Sequence, residues 1–407
     1  VDHVAADKNG DGDVRNSGGN YLQTRFRTNH AVKGAAFSDP PATDDGDVYQ
    51  DEFVWWLERE FPAARTDPQR TLLYLLDNEP DLWSSTHAEV HPDPVSYAEL
   101  RQRSIDYATA IKSMAPNALV LGFVSYGYNG FVSLQGAPDA SGRLFIDYFL
   151  DELNTAGAAA GMRLVDVLDL HWYSEAYGGD TRISDDGANA TRADVVAARL
   201  QAPRSLWDGS FVDDSDWIAR DYLGGQPIRL IPWLREHVAA HYPGTALGFS
   251  EYWFGGGGHI SGALAQADVL GIFGREGVFV ATAWPIGAID YALAAFTMFR
   301  NVDGGGGAFG DTSVRAHSAD VARSSSYAAL DASNPQRVTL VLINKSAGAL
   351  TAAVRIRHRV HLHNAAVYQL TSAQAAPVRA ADLTLGAVNA FVYPMPGYSV
   401  TTLVLAP

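Results

Sequence analysis

Two glutamates offer the most definite chemistry in this sequence. Glu79 ends an apolar run, Thr71-Leu72-Leu73-Tyr74-Leu75-Leu76-Asp77, and is framed by Asn78 and Pro80; Glu251 stands in Ser250-Glu251-Tyr252-Trp253, just after another apolar run. A pair of carboxyl groups at one mouth is sufficient to hydrolyse a glycosidic bond. One protonates the leaving oxygen, and the other attacks the anomeric carbon or activates water. The roles require different surroundings, because a proton donor needs an apolar or like-charged setting while the attacking group stays ionised.

The flanking elements must bring the two together. A short apolar run without polar alternation suits a parallel strand covered on both faces, and Pro80 prevents further ladder pairing. Glu79 then sits at the C-terminal mouth of a strand, the end of a strand–helix barrel where catalytic groups collect; the plainer alternative is an ordinary strand-to-helix turn. Apolar spacing predicts helices over residues 47–61, 94–114, 144–159, 232–240 and 261–273, alternating with strands over 71–77, 118–124, 165–170, 246–249 and 278–284. Several strands end in polar or aromatic clusters, such as Ser125-Tyr126-Gly127-Tyr128 and His171-Trp172-Tyr173-Ser174-Glu175, as a shared mouth requires.

This pattern predicts an α/β fold, a (β/α)8 barrel over residues 1–305, followed after Gly304–Gly307 by a β-sandwich over 306–407. Residues 1–46, rich in Asp, Asn, Gly and Pro, read as one long loop, and 176–231 as an insertion walling the mouth. Only five barrel strands are identifiable. A barrel short of three strands would expose two unpaired edges, so a segment preceding Val1 is expected to complete it.

Other residues compete for roles. Asn78 can contact a sugar hydroxyl, and Trp83, Trp172, Tyr173, Trp253 and Trp284 can stack on sugar faces or orient Glu251, although most aromatics serve as core. His171 is a sugar-binding candidate whose bland counterpart is a hydrogen-bonded core histidine. Glu175 could replace one of the pair, whereas Asp77, Asp81 and Asp169 fit capping or structural positions as well as catalytic ones. Asp7, Asn9, Asp11 and Asp13 resemble the opening of a calcium loop, but Gly18 occupies the position of the bidentate Glu; a calcium site completed from elsewhere and a solvated Asx/Gly turn both fit. His87, His91 and Asp93 form only a weak metal pattern, and Gly255–Gly258 lacks the Gly-Lys-Ser/Thr of a phosphate loop.

Composition narrows the partners. The 407 residues carry 30 basic and 46 acidic side chains, a net charge of −16, which opposes binding to nucleic acid or to anionic membranes and favours a neutral ligand. No cysteine is present, so disulfides, thiolate metal sites and thiol nucleophiles are excluded. No stretch reaches the ~18 apolar residues that span a bilayer.

Taken together, Leu76-Asp77-Asn78-Glu79-Pro80-Asp81-Leu82-Trp83, Ser85-Thr86-His87 through Val90-His91-Pro92, Asp169-Leu170-His171-Trp172-Tyr173, Ser250-Glu251-Tyr252 with Gly255–Gly258, Ile260-Ser261-Gly262 and Ala265-Gln266-Ala267-Asp268 resemble glycoside hydrolase family 44, in family order. The resemblance implies a barrel joined to a β-sandwich and retaining endo-β-1,4-glucanase activity, often reaching xyloglucan, xylan or lichenan. It implies Glu79 as acid/base at the end of strand 4 and Glu251 as nucleophile at the end of strand 7. It also implies a secreted protein, adds weight to a structural calcium near Asp7–Asp13, and requires no organic cofactor. The expected partner is a β-linked polysaccharide, bound by a monomer. The family's Arg-Trp-Gly-Gly-Asn-like segment has no counterpart here. The rival readings are a polysaccharide-binding protein without turnover and an exo-acting glycosidase on the same scaffold.

Overall fold

The computed structural model describes residues 3–5, 14–42, 46–67 and 70–407. The chain forms two compact units, one comprising Val1–Trp172, Leu234–Glu251 and Phe279–Ala281, the other Tyr173–Trp233, Tyr252–Val278 and Thr282–Pro407. Among the described residues, no helix is long and apolar enough to cross a membrane.

Five strands form a sheet in the order Val280–Ala283, Ala246–Trp253, Val167–Tyr173, Leu119–Ser125, Leu73–Leu75. The last three pair in parallel. They alternate with the helices Tyr97–Met114, Phe145–Ala160, Leu230–His241 and Ile260–Glu276, close to the predicted bounds. Local signals explain these limits. Ser96 Oγ accepts from the Glu99 N–H to cap the first helix, and Gly161, at φ 67°, takes the left-handed conformation that ends the second. Phe123 packs edge-on against Phe145 and Phe149, with centroids 4.7 and 5.0 Å apart, joining sheet to helix.

Burial varies along the sheet. Leu119–Ser125 and Val167–Tyr173 are covered on both faces, but in the predicted strand over 71–77 Leu73 and Leu75 are 37% and 45% exposed. The reason is position: Leu73–Leu75 is an edge strand of this sheet.

The long loop expected over 1–46 also holds structure. Phe26–His30 pairs antiparallel with His3–Ala5 and parallel with Asp47–Tyr49, preceded by the short helix Tyr21–Arg25. Polar contacts rather than an apolar period hold this region, which is why the sequence hid it. The Asp51 carboxylate accepts from the Lys33 N–H, and Glu52 accepts from Lys33 Nζ and from the Ser38 N–H.

In the second unit, the insertion after Tyr173 folds into the hairpin Tyr177–Gly178 and Thr181–Arg182, the helix Ala193–Gln201 and the π-helical segment Asp216–Tyr222. A helix at Asp290–Arg300 adds to the predicted set. Beyond it, an antiparallel sheet centred on Ser324–Asp331, Asn334–Asn344, Ser399–Ala406 and Asn364–Thr371 shares an apolar core with the paired strands Leu350–Arg355 and Ala390–Met395. Leu340, Leu342, Val367 and Leu403 from the first sheet meet Phe391, Tyr393 and Met395 from the second. The helix Ile260–Glu276 joins this unit through Asp268, which accepts from Tyr327 Oη and pairs with Lys345 Nζ, 2.5 Å from each.

At the N-terminal ends of the parallel strands, one carboxylate ties several elements. Asp166 Oδ2 accepts from buried Lys112 Nζ at 2.7 Å and from the Val120 N–H at 2.8 Å, while its backbone bridges Val120 and Ala246. Removing the partner of a buried charge costs about 3–5 kcal/mol. Asp166→Ala should therefore lower stability by about 3 kcal/mol or more, and adding Lys112→Met should recover much of it. Melting temperatures of the two variants check this; equal losses would contradict it.

Candidate active site

Glu79 and Glu251 come together on the first unit. Both approach one buried imidazole: His171 Nδ1 is hydrogen-bonded to Glu79 Oε1 at 2.8 Å and lies 3.6 Å from Glu251 Oε2. The Glu79, His171 and Glu251 polar atoms all lie within 4.8 Å of one another. His171 is fully buried, while the two glutamate side chains remain about one-fifth exposed, open to a ligand.

The strand ends explain this convergence. Glu251 lies within Ala246–Trp253, and His171 within the neighbouring Val167–Tyr173. Asp169, two residues before His171, accepts from the Ser250 N–H at 2.8 Å through Oδ1, setting the register beside Glu251. Burial pushes the Asp169 carboxyl above its ordinary pKa.

Glu79 requires a less ordinary backbone. It adopts φ 45° and ψ 57°, a left-handed conformation rare for a residue with a side chain. Its N–H donates to the Val124 carbonyl at 2.9 Å, where Leu119–Ser125 carries a register shift and Val124 itself has φ 59°. Asp81 completes the support. Its carboxylate accepts from Ser125 Oγ at 2.9 Å and from the Tyr126 N–H at 3.1 Å. Gly130 leaves room for it, since a Cβ there would come within 2.1 Å of Asp81 Oδ2.

A family model, that of glycoside hydrolase family 44, matches residues 2–176. The beta-mannanase/endoglucanase A of Caldicellulosiruptor saccharolyticus is 41% identical over 328 residues, covering 77% of this chain and 24% of its own length. Endoglucanase A of Paenibacillus lautus is 41% identical over 350 residues, covering 84% of this chain and 49% of its own. The chain thus spans about a quarter and about half the length of these curated relatives. Among solved structures, a family 44 endoglucanase from Clostridium thermocellum superposes with a TM-score of 0.92 at 38% identity, covering 99% of this chain and 79% of that one. A Paenibacillus polymyxa xyloglucanase of the family, solved with xyloglucan, gives 0.92 at 36% identity, covering 100% and 79%. The chain belongs to glycoside hydrolase family 44.

Within this family 44 chain the remaining candidates are placed unevenly. Asn78 is exposed beside Glu79, its N–H held by Asp77 Oδ1. Trp83, Trp172 and Trp253 are each 2% exposed, which suits packing and orientation better than stacking on a ligand; Tyr173 is half-buried and Trp284 is 60% exposed. Glu175 is bound to Arg182 at 2.7 Å, and burial pushes its carboxyl up against the opposing pull of that guanidinium. His91 pairs with Glu99 at 2.9 Å. Asp7, Asn9, Asp11 and Asp13 lie outside the described residues. Sequence reasoning left Asp81 among several structural aspartates and did not single out Ser125 or Gly130. The available signal was Gly127-Tyr128-Asn129-Gly130, a turn directly after a strand end.

Burial pushes the Asp81 carboxyl from 3.8 up to about 6, with the Glu79 charge adding to the rise and the Tyr126 and Ser125 hydrogen bonds opposing it. In the interval between those values the folded chain holds a proton that the unfolded chain releases. Stability is thus greatest below about pH 4 with respect to this group and declines toward pH 6, by up to about 3 kcal/mol. Asp81→Asn should flatten this decline in melting temperature measured from pH 4 to 7; parallel curves for both proteins would refute the assignment.

Proposed function

We propose that this chain hydrolyses internal β-1,4 bonds of β-glucans with retention of anomeric configuration. The observation that carries the proposal is the closeness of the two carboxyl groups, one oxygen of each lying within 4.8 Å of one oxygen of the other beside His171. Retaining glycosidases hold their carboxyl groups about 5–5.5 Å apart, whereas inverting enzymes leave about 6.5–9.5 Å to admit a water molecule.

In this reading Glu251 attacks the anomeric carbon to form a glycosyl ester while Glu79 gives its proton to the departing oxygen. Glu79 then takes a proton from water, which attacks the same carbon and releases Glu251. His171 contacts both groups and orients them. Two carboxyl groups and water balance the reaction, so no organic cofactor enters it.

Relatives named endoglucanase and xyloglucanase support mixed-linkage glucan, cellulose-type polymers and xyloglucan as substrates, with xylan an extension. A polymer of that size is degraded outside the cell, in keeping with the proposed secretion. The alternation of parallel strands and helices supports the reading of this sheet as part of a (β/α)8 barrel. The shared apolar core of the antiparallel sheets supports a β-sandwich.

Glu251→Gln should lower kcat/KM on barley β-glucan by ~10⁴-fold or more. Glu79→Gln should cost ~10²–10⁴-fold on the polymer and much less on an aryl β-cellobioside whose leaving group departs without protonation. Proton NMR of early products should show the β anomer first, and viscosity should drop before reducing ends accumulate. Full activity in either variant, or initial α product, would reject the mechanism.

A further inference from the structure

A second constellation, unused by this reaction, joins the helices Phe145–Ala160 and Leu230–His241. His237 and His241 are four residues apart and share one helix face; Asp147 and Asp151 have the same spacing on the other helix. Both imidazoles converge on one oxygen. His237 Nδ1 lies 2.5 Å from Asp147 Oδ1, and His241 Nε2 lies 3.2 Å from the same atom. All three polar atoms fall within 4.8 Å of one another.

The opposite side of His241 supplies the second observation. Its Nδ1 lies 2.9 Å from Asp151 Oδ1, and Asp151 Oδ2 is paired with the Arg143 guanidinium. A carboxylate facing one ring nitrogen holds the proton there and leaves the lone pair on the other, the arrangement that prepares histidine for a metal. For neutral His241, that lone pair faces a carboxylate oxygen. Such a contact is repulsive unless Nε2 takes up a proton or a cation lies between them.

We propose that His237, His241 and Asp147 form a zinc site that cross-links these two helices, with Asp151 orienting His241 and water filling the fourth position. Two imidazoles and a carboxylate suit zinc or cobalt better than calcium or magnesium, which prefer oxygen ligands. Bonds of about 2.0–2.1 Å require ligand atoms roughly 3.3 Å apart, so the His237–Asp147 contact would widen while the His241–Asp147 spacing already fits. The framework is set independently of the ion, because Asn154 Nδ2 donates to the His241 carbonyl at 3.0 Å. The four side chains are 17–39% exposed, leaving a route for entry.

The test uses the full chain, stripped with a chelator, dialysed, and titrated with Zn²⁺ against a colorimetric chelator. One equivalent should bind, raise the melting temperature, and persist in Glu251→Gln, which disables the other such cluster among the described residues. Binding should disappear in the His237→Ala/His241→Ala double variant and weaken ~10–100-fold in Asp151→Asn. Co²⁺ should give the visible absorption of a tetrahedral site. Should the double variant fold poorly, His241→Gln removes a ligand while keeping a polar contact to Asp151, and it should lose the Co²⁺ spectrum. Hydrolysis by metal-free wild type and by these histidine variants should be equal. Absence of Zn²⁺ uptake, uptake unchanged without the histidines, or uptake lost in Glu251→Gln would overturn the site.

Discussion

Holding an oxygen of each of two carboxyl groups within 4.8 Å of the other around one buried imidazole is the constraint on which the first unit depends. With both groups ionised, two unit negative charges at that separation would repel by roughly 3–4 kcal/mol at an effective dielectric near 20. Flexible side chains on mobile loops would relieve such repulsion by moving apart. Here Glu251 and His171 stand on adjacent strands of one sheet, and Asp169 locks their register through the Ser250 N–H. Glu79 is held from the other side by the Val124 carbonyl. His171 is hydrogen-bonded to Glu79 and lies 3.6 Å from Glu251, so a polar ring fills the crowded space between them.

The sheet places buried charge differently at its two ends. At the N-terminal ends, Asp166 faces Lys112 and two strands, so the carboxylate finds an opposite charge and serves cohesion. At the C-terminal ends, Asp81 and Asp169 are buried and bonded to hydroxyl and amide donors rather than to a cation, and burial pushes both carboxyls up. These are costly groups to keep in a core. Their bonds secure the strand ends that carry Glu79 and Glu251, so stability is given up where positioning is needed.

Much of this scaffold was legible in the sequence because parallel strands announce themselves as apolar runs, and polar residues just past each run mark the mouth. Glu79 and Glu251 followed from that logic. His171 was less clear, since a histidine within an apolar strand has the same local pattern whether it packs in a core or bridges two acids; only the neighbouring strands distinguish the cases. The tryptophans divide for a similar reason. Trp83, Trp172 and Trp253 have the residue type of a sugar platform but the burial of core side chains. The structured segment Phe26–His30 escaped notice because it is held through backbone pairing with two short strands, which leaves no hydrophobic period to detect.

The backbone at Glu79 lay furthest from what residue types can express. A left-handed conformation at a non-glycine residue costs about 1–3 kcal/mol and persists only where surrounding contacts impose it. Those contacts come from a different strand: the register shift at Val124 turns its carbonyl toward the Glu79 N–H, and the next residue, Ser125, donates to Asp81. Pro80 shapes this turn as well, because a residue before proline is disfavoured in the right-handed helical region. The apolar run therefore specifies where the strand ends, while the irregularity in Leu119–Ser125 and the space at Gly130 specify which way the acid points. An ideal neighbouring strand would leave Glu79 without its backbone anchor and free to swing away from His171, so the imperfection in that strand is part of how the site is built.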